Sequence, residues 1–331
     1  MLVEHSVAGW RAITMVTDLL SATVLPDRGA EIHALVDRAV GVDVLFHAPW
    51  GLAPPGAPPR EGAGGHAFLE RYAGGWQELF PSCDHPCRYR GRTIPFHGEV
   101  ATRAWAVESA GEAALDCAIT CETAPFRLER RMRLADDRAA LVLDETVTNV
   151  GNEPWELTWG HHIVLGPPFL QAGCRLEPAA RTLETGQSAW EDTARLALGQ
   201  RRSWPVAALA TDGEVDLSHV PGPEIDSHDD VYLTDLLAGE VAVVNPALGR
   251  TVRVRFDPGL FRWIVAWQPY GGAHTLPLRG TYALGIEPWV ARVPLAEAAA
   301  AGEAITLEAG GRLTTALELV LEERIDVVDE R

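Results

Sequence analysis

An apolar, strand-like stretch near the C-terminus ends in a carboxylate and reads Tyr282-Ala283-Leu284-Gly285-Ile286-Glu287-Pro288-Trp289. A residue that precedes proline is restricted to extended backbone, so Glu287 is predicted to continue the strand and to project from its end. A carboxylate held in this way can serve as an acid or a base. Exposed glutamates are common, and the alternative is that Glu287 begins a surface loop. Other parts of the chain favour the functional interpretation.

The sequence on either side of this stretch is also strand-like. Short apolar or alternating runs are bounded by Gly, Pro and Asp, which is typical of β-strands. We predict strands at residues 19–25, 31–36, 42–46, 105–107, 114–121, 126–134, 140–150, 242–244, 251–256, 261–268, 305–307 and 313–321. Residues 126–134 and 139–147 are predicted to form a long hairpin that turns at Asp136-Asp137-Arg138. One helix is predicted at residues 295–301, ended by Gly302. Residues 51–65 read as a loop, and between residues 171 and 223 the pattern weakens.

Nearly all-β content with no compositional boundary predicts a single domain over residues 1–331. The arrangement that suits it is one large antiparallel β-sandwich with few short helices. No βαβ repeat, internal repeat or glycine-rich dinucleotide fingerprint is present in the sequence.

Composition excludes several classes of function. The 331 residues contain 46 acidic and 28 basic side chains, for a net charge of -18. This balance argues against nucleic acid or an anionic membrane as the main partner. All the basic residues are arginine, so a Schiff-base lysine, a pyridoxal phosphate anchor and a P-loop lysine are excluded.

The termini and cysteines point to the cytoplasm. The first residues lack the basic and apolar segments of a secretory signal, and no run of about 18 apolar residues exists. Five cysteines, an odd number, are most simply free thiols. Cys83 and Cys87 have the same spacing as Cys117 and Cys121, but this spacing is one residue longer than that of a usual zinc knuckle. We therefore favour a protein without a structural metal.

Three further segments carry candidate binding groups. The loops at residues 74–81 and 94–100 combine aromatic residues with hydrogen-bonding groups such as Trp76, Gln77 and His97, as pocket-lining loops do. Packing of these aromatic side chains on the core is an equally good interpretation. The adjacent His161 and His162 must point to opposite faces of their strand, so the doublet is poor support for a metal site. The acidic run at residues 226–230 would by itself be a solvated face.

Taken in order, six of these segments resemble the motifs of the aldose 1-epimerase, or galactose mutarotase-like, superfamily. The resemblance runs from about residue 20 to the C-terminus. The segments are Asp27-Arg28-Gly29-Ala30-Glu31-Ile32, Pro95-Phe96-His97-Gly98-Glu99, the strand with Trp159-Gly160-His161-His162, Asp229-Asp230-Val231-Tyr232, Trp267-Gln268, and Gly285-Ile286-Glu287-Pro288-Trp289. No single motif is specific, but their order is. The resemblance implies a β-supersandwich with a sugar-binding cleft on its concave side.

The resemblance also implies a reaction and roles for individual residues. The family opens a sugar ring by taking a proton from the anomeric hydroxyl and protonating the ring oxygen, and the ring recloses as the other anomer. By resemblance Glu287 is the base and His162 the acid, with His97, Asp229 and Gln268 on the sugar. No metal, nucleotide or redox cofactor is implied, and the expected partner is a small sugar bound by a monomer or homodimer.

Departures from the family leave alternatives open. Known members carry an Asn-Arg pair after the proline of the early loop, where this chain has Pro81-Ser82-Cys83. Its sugar-contacting arginine is therefore missing, and Arg71, Arg88, Arg90 and Arg92 are the candidates to replace it. Only motif register prefers His162 to His161 and Asp229 to Asp230. The alternative functions are a hexose-phosphate epimerase, a non-catalytic sugar-binding protein and, with less support, polysaccharide cleavage.

Overall fold

The computed structural model of the chain describes residues 1–111 and 113–323. These residues form twenty-five strands and two short helices. The strands of the N-terminal half are β1 Leu2–Val7, β2 Trp10–Val16, β3 Leu20–Leu25, β4 Glu31–Asp37, β5 Val42–Asp43, β6 Trp76–Leu79, β7 Cys87–Tyr89, β8 Arg92–Ile94, β9 Ala106–Gly111, β10 Ala114–Thr120, β11 Phe126–Leu134, β12 Ala140–Asn149, β13 Trp155–Leu157 and β14 Gly160–Leu165.

The remaining strands are β15 Arg175–Thr185, β16 Arg201–Ser203, β17 Val206–Ala208, β18 Glu214–Asp216, β19 Ser227–Asn245, β20 Arg250–Arg255, β21 Trp263–Tyr270, β22 Leu284–Gly285, β23 Glu287–Trp289, β24 Ile305–Leu307 and β25 Arg312–Glu323. The helices are α1 Ala67–Arg71 and α2 Leu295–Ala300, and there are 3₁₀ turns at Val100–Thr102 and Pro223–Ile225.

The predicted fold class, a large antiparallel β-sandwich, is confirmed. Every pairing between named strands is antiparallel, and the long hairpin of β11 and β12 turns where it was predicted to turn. The predicted helix is α2, one residue shorter than expected. The predicted strand at residues 42–46 ends at Asp43 instead.

Several elements were not anticipated, and three of them show why the sequence pattern failed. Helix α1 has five residues, too few for a helical period to emerge from the sequence. Strand β15 lies within the segment whose pattern looked weak, and Pro178 breaks its alternation at a bulge. Only residues 242–244 of strand β19 were predicted as a strand, and the acidic run at residues 226–230 was expected to be a solvated loop. The strand is continuous from Ser227 to Asn245 because it pairs with β15, β20 and β21.

The strands form two layers that share β19. One layer runs β9-β10-β11-β12-β25-β20-β19, and the other continues from β19 through β21, β23, β14, β6 and β4 to β3, β2 and β1. Strand β19 can belong to both because its C-terminal half pairs with β20 and its N-terminal half with β21.

Between the two layers lies the main apolar core, with a buried ionic cluster in it. Arg130 donates hydrogen bonds to Glu78 and, at 2.8 Å, to Glu145. His161 Nδ1 accepts from Trp76 Nε1 at 3.2 Å, and its Nε2 lies 3.2 Å from Glu145. Alternate residues of β6 and β14 point the opposite way, onto the outer face of the second layer, where a separate apolar cluster packs.

No helix in the described part of the chain is both long and apolar enough to cross a membrane. The five cysteines carry free thiols, as expected.

Candidate active site

A cavity of about 90 Å³ opens on the outer face of the second layer. Strands β14, β19, β21 and β23 form its floor, and helix α1 and the loops before β7 and after β8 form its walls. Its lining comprises Phe68, Leu69, Tyr72, Asp84, Phe96, His97, His162, Trp190, Asp230, Tyr232, Val265, Trp267, Leu278, Glu287 and Trp289. We refer to it as the inner cavity.

Glu287 and His162 lie side by side in the inner cavity. Glu287 is 1% exposed and has the extended backbone that the following proline predicted, although it stands at the start of β23 and not at the end of a strand. Its Oε1 lies 3.7 Å from His162 Nε2, a distance without a hydrogen bond, and its Oε2 accepts from Trp289 Nε1 at 3.1 Å. The backbone of β14 presents His162 on this face and His161 on the other.

Burial perturbs both groups strongly. Desolvation, and next the charge of Asp230, raise the pKa of Glu287 well above its usual range, although the hydrogen bond from Trp289 opposes this. Desolvation lowers the pKa of His162 to about 3. At pH values between the lowered pKa of His162 and the raised pKa of Glu287, the pair therefore holds one proton, on the carboxyl of Glu287.

His97 stands opposite this pair on a strained loop. Its φ of 58° and that of Asp84, 61°, both lie in the left-handed region, which non-glycine residues rarely adopt and which often marks functional sites. The two residues hold each other in place, because the Asp84 backbone N–H donates to His97 Nδ1 at 3.1 Å and the His97 N–H donates to the Asp84 carbonyl at 3.0 Å.

This geometry decides the tautomer of His97. Nδ1 accepts a hydrogen bond, so a neutral ring carries its proton on Nε2 and can donate that proton toward a ligand. Burial lowers the pKa of His97 well below its usual range and keeps the ring neutral.

The walls of the inner cavity are aromatic. Phe68 of α1 contacts both histidines edge-on, with ring centroids 4.7 Å from His97 and 5.4 Å from His162. Trp267 lies 5.7 Å from His162 on the opposite side. Flat apolar walls with a few convergent polar groups are the usual composition of a small-molecule site.

A second cavity of about 650 Å³ adjoins the first, and we refer to it as the outer cavity. The two share Leu69, Asp84, Trp190, Asp230, Tyr232 and Leu278. The outer cavity also contains Arg292, which lies 3.2 Å from Glu184 and over the ring of Trp263.

Residues 7–321 match the protein family described as Domain of unknown function (DUF4432). The chain belongs to the DUF4432 family. No curated protein matches its sequence significantly.

Solved structures similar to this DUF4432 chain have the fold that the sequence motifs led us to expect. The Slr1438 protein of Synechocystis sp. PCC 6803 superposes with a TM-score of 0.70 at 17% identity, over 96% of this chain and 99% of its own. A provisionally named aldose 1-epimerase from Klebsiella pneumoniae has the same TM-score and identity, over 96% and 81%. A galactose mutarotase-like protein from Lactobacillus casei gives 0.59 at 18%, over 94% and 100%. At these identities the likeness establishes the fold.

Of the predicted site residues, Glu287, His162 and His97 come together in the inner cavity. Asp229 does not, and Asp230 lines the cavity in its place. Asp229 points to the opposite face of β19, where it accepts hydrogen bonds from the backbone N–H groups of Arg195 and Leu196 and from Arg195 Nε. Gln268 is its cross-strand neighbour and faces the same way, whereas Trp267 faces the cavity.

The other predicted contacts also lie outside the cavity lining. Trp76 packs in the interior against His161, because it lies on the inner face of β6. Gln77 shares the outer face with His162 but donates to Glu31 and to the Gly74 carbonyl. Arg71 donates to the Thr102 carbonyl at 2.7 Å. Neither Arg71 nor the other candidates, Arg88, Arg90 and Arg92, lines either cavity.

Sequence reasoning missed several lining residues. Phe68 and Leu69 come from the unpredicted helix α1, and Tyr72 follows it directly. Trp190 comes from the segment with a weak pattern, and Asp84 lies in the loop where the family's arginine was sought. Phe68 is an aromatic residue just after the predicted loop at residues 51–65, and that position is the signal that could have found it. No sequence signal marks Asp84 as a cavity residue.

The group of described residues whose spacing would suit a metal ion is Glu78, Glu145 and His161. Arg130 already neutralises its two carboxylates from within the core. The donor set therefore fits an internal ion cluster better than a metal site, and no cysteine belongs to it.

Proposed function

We propose that the protein is an aldose 1-epimerase, which interconverts the α and β anomers of a sugar by ring opening and reclosure. One observation carries the proposal: Glu287 Oε1 and His162 Nε2, 3.7 Å apart and not bonded to each other, face the same aromatic-walled cavity. The anomeric hydroxyl oxygen and the ring oxygen of an aldose are bonded to the same carbon. Two groups placed side by side can therefore reach both oxygens at once.

In this mechanism Glu287 takes the proton of the anomeric hydroxyl while His162 protonates the ring oxygen. The bond between C1 and the ring oxygen breaks, and an open-chain aldehyde forms. Rotation about the C1–C2 bond exposes the other face of the aldehyde, and closure returns each proton along the same route. No atom is gained or lost.

The protonation state of the pair suits this reaction. Ring opening and ring closure each need one proton on the pair. Opening needs this proton on His162, beside the ring oxygen, and closure needs it on Glu287, beside the anomeric oxygen. Between the lowered pKa of His162 and the raised pKa of Glu287 the pair holds one proton, which is the number that the reaction needs. The pKa shifts place that proton on Glu287, the form used in closure, and ring opening uses the form with the proton on His162. Opening followed by closure carries the proton from His162 to Glu287 and back by way of the substrate.

Other residues support a sugar substrate in this cavity. His97 Nε2 is a hydrogen-bond donor, and Asp230 takes the hydroxyl-binding role that sequence reasoning gave to Asp229. The faces of Phe68, Trp267 and Trp289 offer apolar surface for the C–H faces of a pyranose.

The hexose-phosphate alternative is less well supported. No arginine lines the inner cavity among the described residues, and the chain contains no lysine. Arg292 in the outer cavity is already paired with Glu184. A phosphate ester would therefore enter a site with three carboxyl groups and few free donors of positive charge.

The test is anomer exchange measured by saturation-transfer NMR over a panel of aldoses, for wild type and Glu287→Gln. We expect wild type to accelerate exchange and the variant to lose about 10²–10⁴-fold of that acceleration, because a placed acid–base group contributes that much. Glu308→Gln is the matched control. It changes an exposed carboxylate between β24 and β25 that lines neither cavity, and it should retain full activity.

Two outcomes would contradict the proposal. If Glu287→Gln exchanges anomers as fast as wild type, the role given to Glu287 is wrong. If sugars bind but none is exchanged faster than in buffer, the protein is a non-catalytic sugar-binding protein.

A further inference from the structure

The inner cavity is acidic and contains no fixed cation. Asp84, Asp230 and Glu287 line it together with His97 and His162, and no arginine within residues 1–111 and 113–323 is among its lining residues. Both histidines have lowered pKa values and are neutral near pH 7. The site therefore has no positive group of its own to balance its carboxyl groups.

Asp230 in particular has no partner. Across residues 1–111 and 113–323, its carboxylate accepts no hydrogen bond and lies in no ion pair, and the nearest basic atom to Asp84 is His85 Nε2 at 3.6 Å. Desolvation, and next the charge of Asp84, raise the pKa of Asp230 to about 7. Such a group is stabilised by gaining either a proton or a cationic ligand.

The cavity is otherwise formed for a ligand. Glu287 and His162 are more than nine-tenths buried. Within the described part of the chain, Glu287 Oε1 and His162 Nε2 have no hydrogen-bond partner, although both residues line the cavity. Asp84 and Asp230 line the junction with the outer cavity, whereas Glu287 and His162 line the inner cavity alone. A cation held by Asp84 and Asp230 would thus leave the acid–base pair free to act.

From this arrangement we propose that the substrate is an amino sugar, an aldose with a free ammonium group that binds between Asp84 and Asp230. The inference rests on the proposed function and names its substrate class. An ammonium group has three donors and one positive charge, and charge-assisted hydrogen bonds to carboxylates are about twice as strong as neutral ones. Acetylation of the amine would remove the charge, and a phosphate would be repelled.

The first experiment compares anomer exchange for 2-amino-2-deoxy and 6-amino-6-deoxy hexoses, their N-acetyl derivatives, the parent hexoses and the 6-phosphates. We expect at least one amino sugar to exceed both its parent and its N-acetyl derivative by about 10-fold or more in kcat/KM, the effect of one or two charged hydrogen bonds. Parent hexoses that are processed as well as every amino sugar would overturn the inference and leave the proposed function intact.

The second experiment measures protons released on binding, by calorimetry at pH 6 in two buffers of different ionisation enthalpy. In the free protein Asp230, with its pKa raised to about 7, is mostly protonated at this pH. A bound ammonium group stabilises the ionised form of Asp230, so the proton is released. Binding of the amino sugar should therefore release roughly half to one proton, and binding of a neutral sugar should release almost none. Equal release for both ligands would contradict the proposal.

Substitutions of Asp230 and Asp84 test whether these two carboxylates bind the ammonium group. Asp230→Asn, or Asp84→Asn if the first folds poorly, should abolish both the preference for the amine and the proton release. Glu308→Gln removes an exposed carboxylate that lines neither cavity and should change neither, which makes it the matched control. Retention of the preference in both asparagine variants, each shown by circular dichroism to be folded, would overturn the assignment.

The two proposals can fail separately. If no aldose is exchanged faster than in buffer but the amino sugar binds with proton release that Asp230→Asn abolishes, the catalytic proposal fails and the ligand class stands.

Discussion

At the scale of single residues, the site is decided by which member of a doublet faces outward. His161 and His162 are adjacent on β14, and Asp229 and Asp230 are adjacent on β19. In each pair one side chain joins the interior or holds a loop, while the other lines the cavity. The side-chain period of two guarantees one outward residue per doublet, but only the register with neighbouring strands selects it.

A pH profile tests the proton count of the Glu287–His162 pair. Activity requires one proton on the pair, so the rate should be highest between the two perturbed pKa values. It should fall toward low pH as His162, with a pKa of about 3, takes up a second proton. It should fall toward high pH as Glu287, whose pKa is raised, loses the only proton.

The measurement is the first-order rate of enzyme-catalysed anomer exchange against pH, corrected for the spontaneous rate. An acidic limb near pH 6.5 would mean that His162 titrates as an ordinary histidine and that burial does not govern the pair. A carboxylate with its usual pKa at Glu287 would place the basic limb near pH 4–5 and leave little activity at pH 7.

At the scale of elements, the short strands β22 and β23 place Glu287 only because Gly285 precedes it. A Cβ atom at residue 285 would overlap Glu287 Oε1 and would approach the Trp267 Cβ to 2.9 Å. The backbone there is not left-handed, so the glycine is required for space and not for its φ angle.

Gly285→Ala should therefore displace the carboxylate of Glu287 without unfolding the sheet. A misplacement of about 1 Å can cost on the order of 10²-fold in rate, so we expect a loss of about 10–100-fold in kcat with a smaller change in KM. Gly111→Ala is the control, because residue 111 is exposed and has free space around its Cα. Equal kcat values for Gly285→Ala and wild type would show that Glu287 does not depend on this contact.

At the scale of the whole molecule, the two layers are joined by an apolar core and by the ionic cluster around Arg130. Glu78, on the strand next to His162, and Glu145, on the opposite layer, both pair with this one guanidinium, which also donates to the Ala30 carbonyl at 3.1 Å. Trp159 Nε1 satisfies Glu78 Oε1 at 2.7 Å. We propose that the shared strand β19 and this cluster make the chain one cooperative domain.

Arg130→Met tests this prediction by leaving two buried carboxylates without their counter-charge. Breaking a buried ion pair on one side costs about 3–5 kcal/mol, and the free energy of unfolding should fall by that amount. Arg133→Met alters an exposed arginine of the same strand and should change stability by less than about 0.5 kcal/mol.

Denaturant unfolding followed by tryptophan fluorescence and circular dichroism measures both variants. A single transition seen by both probes would support one domain. A loss below about 1 kcal/mol for Arg130→Met would mean that the cluster contributes little, and separate transitions for the two probes would contradict a single cooperative unit.

The sequence by itself determined the class of fold and the absence of lysine chemistry, and it singled out three residues that line the inner cavity, Glu287, His162 and His97. Strand periodicity and turn residues are local signals, so β11, β12 and β24 could be recognised almost to the residue. Proline after Glu287 is likewise local and predicted its extended placement correctly.

Only the tertiary structure decided which face each strand turned toward the cavity, and which distant residues joined it there. The inner cavity is lined by segments that are far apart in sequence, among them α1, Asp84, Trp190 and Asp230. No local pattern in the sequence encodes such an arrangement. Tertiary structure also decided that no arginine of the described residues lines the inner cavity. A count of arginines could not reveal this, because their partners are determined by packing and not by sequence order.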